Sequence, residues 1–374
     1  MKVVITGSHF TPAQAVIEEL LKIPDLEIVY FGRKYARDDD KSPSIESKIL
    51  PQMGVKFIPI TAGRLNRFFS FYSLIALLKT PIGFIQSFYY LLKEQPDLIV
   101  SFGGFTGMPV VINGWLLSVP SLIHEQSLRM GLSNYISSFF AKSIALSFPS
   151  QKKSSDSKTI ITGNPIRKEF LSPQEPSKRV KDFIKSSNRR KKPVILITAG
   201  NQGSHFINLI VEDKLTDLTN IAAIIHQTGD SKYDDYSNLE KHTSENYFVS
   251  KWIDSKDLSF ILDNTDLAIS RAGMNTLIEL SLKSAPSLII PIPVGREQKN
   301  NAEYFKKLGL GEVLEEKKLT PEIMIKKIKD SLDRRIGLKQ LANNAKKEIV
   351  MDAQKKLTQQ ILIMLNNQTN FPNS

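Results

Sequence analysis

The chain has 374 residues, enough for two cores at roughly 150 residues each, and its 41% apolar and 24% charged composition is that of a globular protein. No apolar run approaches the roughly 20 residues of a membrane-spanning helix. The lack of cysteine excludes disulfides, thiolate nucleophiles and cysteine-bound metal, five scattered histidines without HExxH spacing speak against zinc, and a formal charge of +12 asks for an anionic partner.

The first residues, MKVVITGS, enter a strand at once, with no charged segment leading into a long apolar stretch. A signal peptide is therefore not expected, and the cytoplasm is the expected compartment. Strand-like runs then recur with helical segments between them: KVVITG, LEIVYFG, VKFIPI, DLIVSFGG, PSLIHE and SIALSF. That alternation predicts βα units and a mainly parallel sheet. Between Ser47 and Lys93 there is no acidic residue, while Lys48, Lys56, Arg64, Arg67, Lys79 and Lys93 are interleaved with large apolar side chains such as Phe68, Tyr72, Phe84 and Phe88. Cations mixed with aromatics suit an anionic membrane surface; about half of the large side chains of FYSLIALL, at helical spacing, are expected to pack inward.

After the polar stretch 150–158 the pattern resumes with TIITG, PVILITAG, IAAIIHQTG, YFVSKW, DLAISRAG and PSLIIPIP, a second doubly wound set. The segment KRVKDFIKSSNRRKK (178–192) carries eight cations against Asp182 alone, and reads as a solvated linker and helix or as a second anionic contact. From about Leu338 the chain is predicted helical, and the tail NQTNFPNS frayed.

Several strands end in glycine, at Gly7, Gly103, Gly200, Gly229 and Gly273, on the carboxyl edge where open α/β sheets bind ligands. SFGGFTGMPV (101–110) bares the backbone through Gly103, Gly104 and Gly107, which fits a phosphate cradle or a plain tight turn. TAGNQGSHFIN (198–208) offers amides around Asn201 and Gln202 to a diphosphate, but has neither GxGxxG spacing nor a P-loop lysine. SRAGMNTLIEL (270–280) sets Arg271 before a glycine turn and Glu279 on the next helix, where a carboxylate can take both ribose hydroxyls or simply be a polar helix residue. GREQKNNAEYF (295–305) can bond sugar hydroxyls or be only a loop. In PSLIHEQSLRMGLSN (120–134), His124, Glu125 and Gln126 end an apolar strand, structural or functional. His9, just past the first strand, is a candidate general base, and Arg167 of GNPIR a candidate phosphate ligand.

The order HEQ, GLSN, GNPIR, NQG, HQTG, SRAG and REQKNNA resembles the MurG family of peptidoglycan N-acetylglucosaminyltransferases in the GT-B superfamily, over roughly residues 1–345. The resemblance implies two Rossmann-like domains facing across a cleft: residues 1–165 for the acceptor and the membrane, 166–346 for the UDP-sugar, with a final helix at about 347–368 packing back on the first. It implies donor contacts from Arg167, Asn201, Gln202, Ile253, Arg271, Glu279, Glu297 and Gln298. Acceptor contacts fall to Gly103, Gly104, His124, Glu125, Gln126, Ser127 and Asn134, with His9 as base. The chain departs from the family at three points. The first loop is TGSH where the family has GGTGGH, Ser127 stands for an asparagine, and Asn201 for a serine.

The expected activity is inverting and metal-independent, without a cofactor, moving N-acetylglucosamine from UDP-GlcNAc to the muramoyl 4-hydroxyl of lipid I, undecaprenyl-pyrophosphoryl-muramoyl-pentapeptide. It is expected at the cytoplasmic face of the membrane, with no nucleic-acid partner, since charge alone argues for one. A related enzyme with another lipid acceptor, or an inert UDP-sugar binder, are the alternatives.

Overall fold

The computed structural model describes residues 1–35, 43–61, 71–149, 157–200, 203–230 and 233–369, without the side chains of 71–79, 368 and 369. Asn201, Gln202, Arg64 and Arg67, the side chain of Lys79, the packing of FYSLIALL and the tail after 369 therefore lie outside the described residues. The chain divides into two compact units, Met1–Arg167 with Val350–Ser374, and Lys168–Ile349.

In the first unit the strands are β1 (Lys2–Thr6), β2 (Glu27–Gly32), β3 (Lys56–Pro59), β4 (Leu98–Ser101), β5 (Ser121–Glu125), β6 (Ser143–Leu146) and β7 (Thr159–Ile161). The helices between them are α1 (Phe10–Leu20), α2 (Ile45–Gln52), α3 (Phe71–Glu94), α4 (Gly104–Leu116) and α5 (Leu132–Ser138). All pairings are parallel, in the order β3-β2-β1-β4-β5-β6-β7. The run TIITG, which reads as the start of the second set, is instead the edge strand β7, bonded to β6.

Strand residues alternate between faces, so a sheet covered on both sides needs an unbroken apolar run. KVVIT supplies one. Val3 and Ile5 pack with Val16 and Leu20 of α1, while Val4 packs on the opposite face with Val110 and Val111 of α4. The chain's last helix, α15 (Ala353–Thr369), returns to the first unit. Its Leu357, Ile361 and Leu365, spaced for one helical face, join the cluster around α1, each burial contributing about 1.5–3 kcal/mol.

The second unit has β8 (Val194–Thr198), β9 (Ala223–Gln227), β10 (Tyr247–Ser250), β11 (Leu267–Ser270), β12 (Ser287–Ile289) and β13 (Gly311–Val313). Its helices are α6 (Lys178–Arg189), α7 (His205–Asp213), α8 (Leu215–Ile221), α9 (Asp235–Glu240), α10 (Ser255–Asp263), α11 (Met274–Leu282), α12 (Glu297–Lys307), α13 (Pro321–Asp333) and α14 (Arg335–Lys347). The strand order, β10-β9-β8-β11-β12-β13, repeats the first six positions of the other sheet. Strand β13 carries no sequence signal, because GEV is short and only half-buried.

In both sheets the chain winds outward in one direction and then the other. The reversal falls between β1 and β4 in the first unit and between β8 and β11 in the second. At such a switch point the loops leaving adjacent strands diverge and open a crevice at the carboxyl edge.

Candidate functional site

The first crevice is built from the loops after β1 and β4. Ser8 N donates to Gly103 O at 2.9 Å, and Tyr30 OH to Gly7 O at 2.9 Å, so the β1 loop is tied to both neighbouring strands. Gly104 opens α4 at φ +79°, and a Cβ there would fall inside the Ser8 side chain. Only glycine lets the two loops close on each other. Gly103 N donates to Ser101 Oγ at 3.2 Å, and Ser133 Oγ to Gly104 O at 2.6 Å.

The loop after β5 is organised by Glu125, whose buried carboxylate accepts from Ser127 N (2.8 Å), Gly131 N (2.9 Å) and Asn134 Nδ2 (2.9 Å). Burial pushes the Glu125 pKa up, and the Gly131 and Ser127 amides and Asn134 pull the other way. Asn134 also donates to His124 O at 3.1 Å, with its amide against Gly103. His124 is buried on β5, with Nε2 3.1 Å from Gly163 O, and burial lowers its pKa to about 4. These three side chains thus turn their polar groups to the strands and loop that carry the crevice.

His9, between β1 and α1, is half-buried, with Nδ1 2.7 Å from Gln126 Nε2. Burial, and the charge of Arg33 beyond β2, lower its pKa to about 4, so the ring is neutral near pH 7. Arg33 was not singled out from the sequence. A cation directly after a strand, as in YFGR, is the signal that marks it.

The second crevice lies between the loops after β8 and β11. Ser204 caps α7, and Arg271 donates to Ser204 Oγ through Nε (3.1 Å) and Nη2 (2.6 Å), and to Ile290 O through Nη1 (3.2 Å). Its guanidinium also pairs with Glu316. Arg271 therefore braces the loop from within. Gly203, at φ +70°, passes so close to Thr228 O that a Cβ would overlap it. Gln227 ends β9 as a second brace: Nε2 donates to Gly200 O (3.0 Å) and Oε1 accepts from Ile253 N (3.2 Å). It joins two segments of the expected donor site and was legible only as part of HQTG.

Gln298, in the first turn of α12, accepts from Ala272 N (3.2 Å) and Ile292 N (3.1 Å) through Oε1, while Glu297 beside it is exposed. Glu279 is half-buried on α11, which starts directly after the β11 loop. Arg167, half-buried, is the last residue of the first unit before the chain enters the second. The first crevice thus gathers His9, Gly103, Gly104, Gln126 and Ser127, and the second Ile253, Arg271 and Gln298. Among the described residues no cluster of three or more His, Asp or Glu side chains could hold a metal ion.

Residues 3–146 match the glycosyltransferase family 28 N-terminal domain and residues 194–357 the family 28 C-terminal domain. The UDP-N-acetylglucosamine--N-acetylmuramyl-(pentapeptide) pyrophosphoryl-undecaprenol N-acetylglucosamine transferase of Clostridium kluyveri is 32% identical over 364 residues, 95% of this chain and 97% of the relative. The transferase of the same name from Treponema denticola is 32% identical over 87% of this chain and 85% of its own. Among solved structures, MurG of Acinetobacter baumannii aligns with a TM-score of 0.68 at 22% identity, covering 97% of this chain and 99% of that one. The calicheamicin glycosyltransferase CalG4 aligns at 0.69 with 13% identity, covering 98% of each. At these identities the structures speak for the fold, which is GT-B, with two Rossmann-like units.

Proposed function

The chain belongs to glycosyltransferase family 28, and on that premise we propose that it moves N-acetylglucosamine from UDP-N-acetylglucosamine to the muramoyl 4-hydroxyl of lipid I, giving lipid II for peptidoglycan. The observation that carries this reading is identity along nearly the whole chain with transferases of that name.

In this reading the donor lies in the second crevice. Glu279 takes the ribose hydroxyls, and Asn201 and Gln202 line the diphosphate, which also meets the N-terminal end of α7. The Ile253 N–H is engaged by Gln227, so its carbonyl is the group for uracil. Glu297 and the amide nitrogen of Gln298 read the sugar hydroxyls. Arg167 meets phosphate, and Arg271 acts by holding Ser204 and the turn into α7.

The acceptor's pyrophosphate lies over Gly103 and Gly104 at the start of α4, with Ser127 nearby. His9 takes the proton of the 4-hydroxyl as that oxygen bonds to C1 of the donor sugar. The bond from C1 to the phosphate oxygen breaks, and UDP leaves with the electron pair against the amides of the second crevice. Displacement from the opposite face inverts C1 and gives a β-1,4 link. A histidine at about 4 is a weak base; the negative pyrophosphate opposes the field of Arg33 and raises it when the acceptor binds.

The acceptor's undecaprenyl chain stays in the bilayer, and no described helix is long and apolar enough to cross one. The face that meets the membrane carries Ile85, Tyr89 and Leu92 of α3, Tyr135 of α5 and Phe139 directly after it, exposed and at helical spacing on two helices that flank α4. Exposed Lys93 and Arg129 supply cations for an anionic headgroup layer at the cytoplasmic face.

The test is transfer of radiolabelled sugar from UDP-N-acetylglucosamine to lipid I, with UDP release followed in parallel. Labelled lipid II and UDP in equal amounts are expected. Tight UDP-sugar binding without labelled lipid would overturn the acceptor assignment.

A further inference from the structure

His9 and Gln126 stand 117 positions apart in sequence, yet their side chains meet at 2.7 Å through His9 Nδ1 and Gln126 Nε2. His9 Nε2 has no hydrogen-bond partner among the described residues. Gln126 is only 6% exposed, and its Oε1 is buried without a partner among the described residues. The side-chain amide can therefore turn over without breaking a bond at its other end.

The two orientations set opposite chemistry on the ring. With the NH2 group toward His9, Nδ1 accepts and the proton of the neutral ring sits on Nε2, which then cannot take another. With the carbonyl oxygen toward His9, Nδ1–H donates to it and Nε2 carries the lone pair. Only the second arrangement is a base at its outward nitrogen.

We propose that Gln126 is a positioning residue whose side-chain oxygen accepts from His9 Nδ1–H and so presents the Nε2 lone pair to the acceptor hydroxyl. This rests on the reading of His9 as the base. In the reaction the hydroxyl proton passes to Nε2, the imidazolium keeps its Nδ1–H bond to Gln126, and the ring returns that proton to water once UDP has left. Among the described residues, the charge that acts on the ring is Arg33 beyond β2, which opposes its positive form; His124 on β5, its pKa also lowered by burial, is neutral near pH 7, and the Glu125 carboxylate is turned to its own loop. A neutral amide orients the ring without holding the proton that must be passed on. A carboxylate in its place would orient it too, and would stabilise the charged form.

The experiment uses the full chain labelled with 15N-histidine, at pH 7.5, with the His9 signal identified by its loss in His9→Gln. Long-range 1H–15N correlations are expected to show Nδ1 protonated and Nε2 bare in the wild type, and a mixture of tautomers in Gln126→Met. A wild-type ring protonated on Nε2 overturns the proposal, whether or not the enzyme makes lipid II. Kinetics give the second readout. Gln126→Met should lower kcat by about tenfold or more with KM for UDP-N-acetylglucosamine unchanged. Gln126→Glu should restore most of kcat and move the acid limb of the kcat profile up by about one pH unit or more. Equal losses in both variants, with no movement of that limb, would mean that Gln126 merely packs. Should Gln126→Met fail to fold by circular dichroism, the wild-type tautomer and the Glu variant still decide.

Discussion

Arg271 directs its guanidinium into the protein, onto Ser204, Ile290 O and Glu316, so its removal acts first on the fold. Arg271→Ala should cost about 3–5 kcal/mol in stability, because it strands a mostly buried carboxylate. Adding Glu316→Gln should return part of that loss. Denaturant titration of the two variants checks this, and equal stability of the single and double variants would mean the pair is not coupled. Glu279 is the contrasting case, a half-buried side chain on the helix after the same loop. Glu279→Ala should weaken UDP binding by about 1.5–3 kcal/mol. Unchanged affinity by calorimetry would remove Glu279 from the ribose. That Arg271 stands at a strand's carboxyl edge and Glu279 on the helix that follows was legible in the sequence, because a glycine turn follows the apolar run. What each side chain bonds to was not. The partners of Arg271, Ser204, Glu316 and Ile290, are 67, 45 and 19 positions away, and nothing local distinguishes an arginine that braces a loop from one that meets phosphate.

Helix α3, over its described side chains, and helix α5 each bury one side and leave large apolar residues outward, a pattern that suits a partner surface. Tyr89 and Phe139 are 58% and 65% exposed, so changing them to serine should leave the fold intact. Each change should weaken binding to anionic vesicles by about tenfold, the worth of roughly half an aromatic side chain removed from water. Flotation with anionic vesicles at low and high salt reads this. Undiminished flotation of the double variant would move the docking face elsewhere, with the basic helix α6 the next candidate. The outward row on α3 falls inside the acid-free stretch that drew notice in the sequence. The row on α5 was not foreseen, since LSNYISSF mixes serine with aromatics and shows its stripe only once the helix is formed. Element types were legible from short β-branched runs ended by glycine. Membership of a sheet was not, as the three residues of β7 show, because pairing with β6 is a tertiary fact.

Across the whole chain, three neutral histidines couple folding to pH. Burial lowers the pKa of His9 and His124 in the first unit to about 4, and that of His226 in the second to about 3. His226 is fully enclosed between Tyr247 OH at Nδ1 (2.9 Å) and Asn208 Oδ1 at Nε2 (3.0 Å). The amide nitrogen of Asn208 is committed to Asp235 and Thr228 O, so its oxygen accepts and the neutral ring is protonated on Nε2. Each ring takes up a proton more readily in the unfolded chain, where its pKa is near 6.5, than in the folded one. Below that value the unfolded state therefore binds more protons, and stability falls as pH drops from about 6.5 toward the folded pKa. In the first unit the buried carboxyls of Glu46 and Glu125, whose pKa values are raised by burial, act in the opposite sense, stabilising at low pH and losing that contribution as pH rises through their folded values. The second unit, through His226, should therefore lose stability as the pH falls below about 6.5. Calorimetric scans between pH 7.5 and 5 should show a falling transition, assigned to the second unit by its rise with added UDP. His226→Gln should lower that transition at pH 7.5, through the bonds it weakens, and flatten its dependence between pH 6.5 and 5. A transition that stays as steep in the variant would place the acid sensitivity in another group.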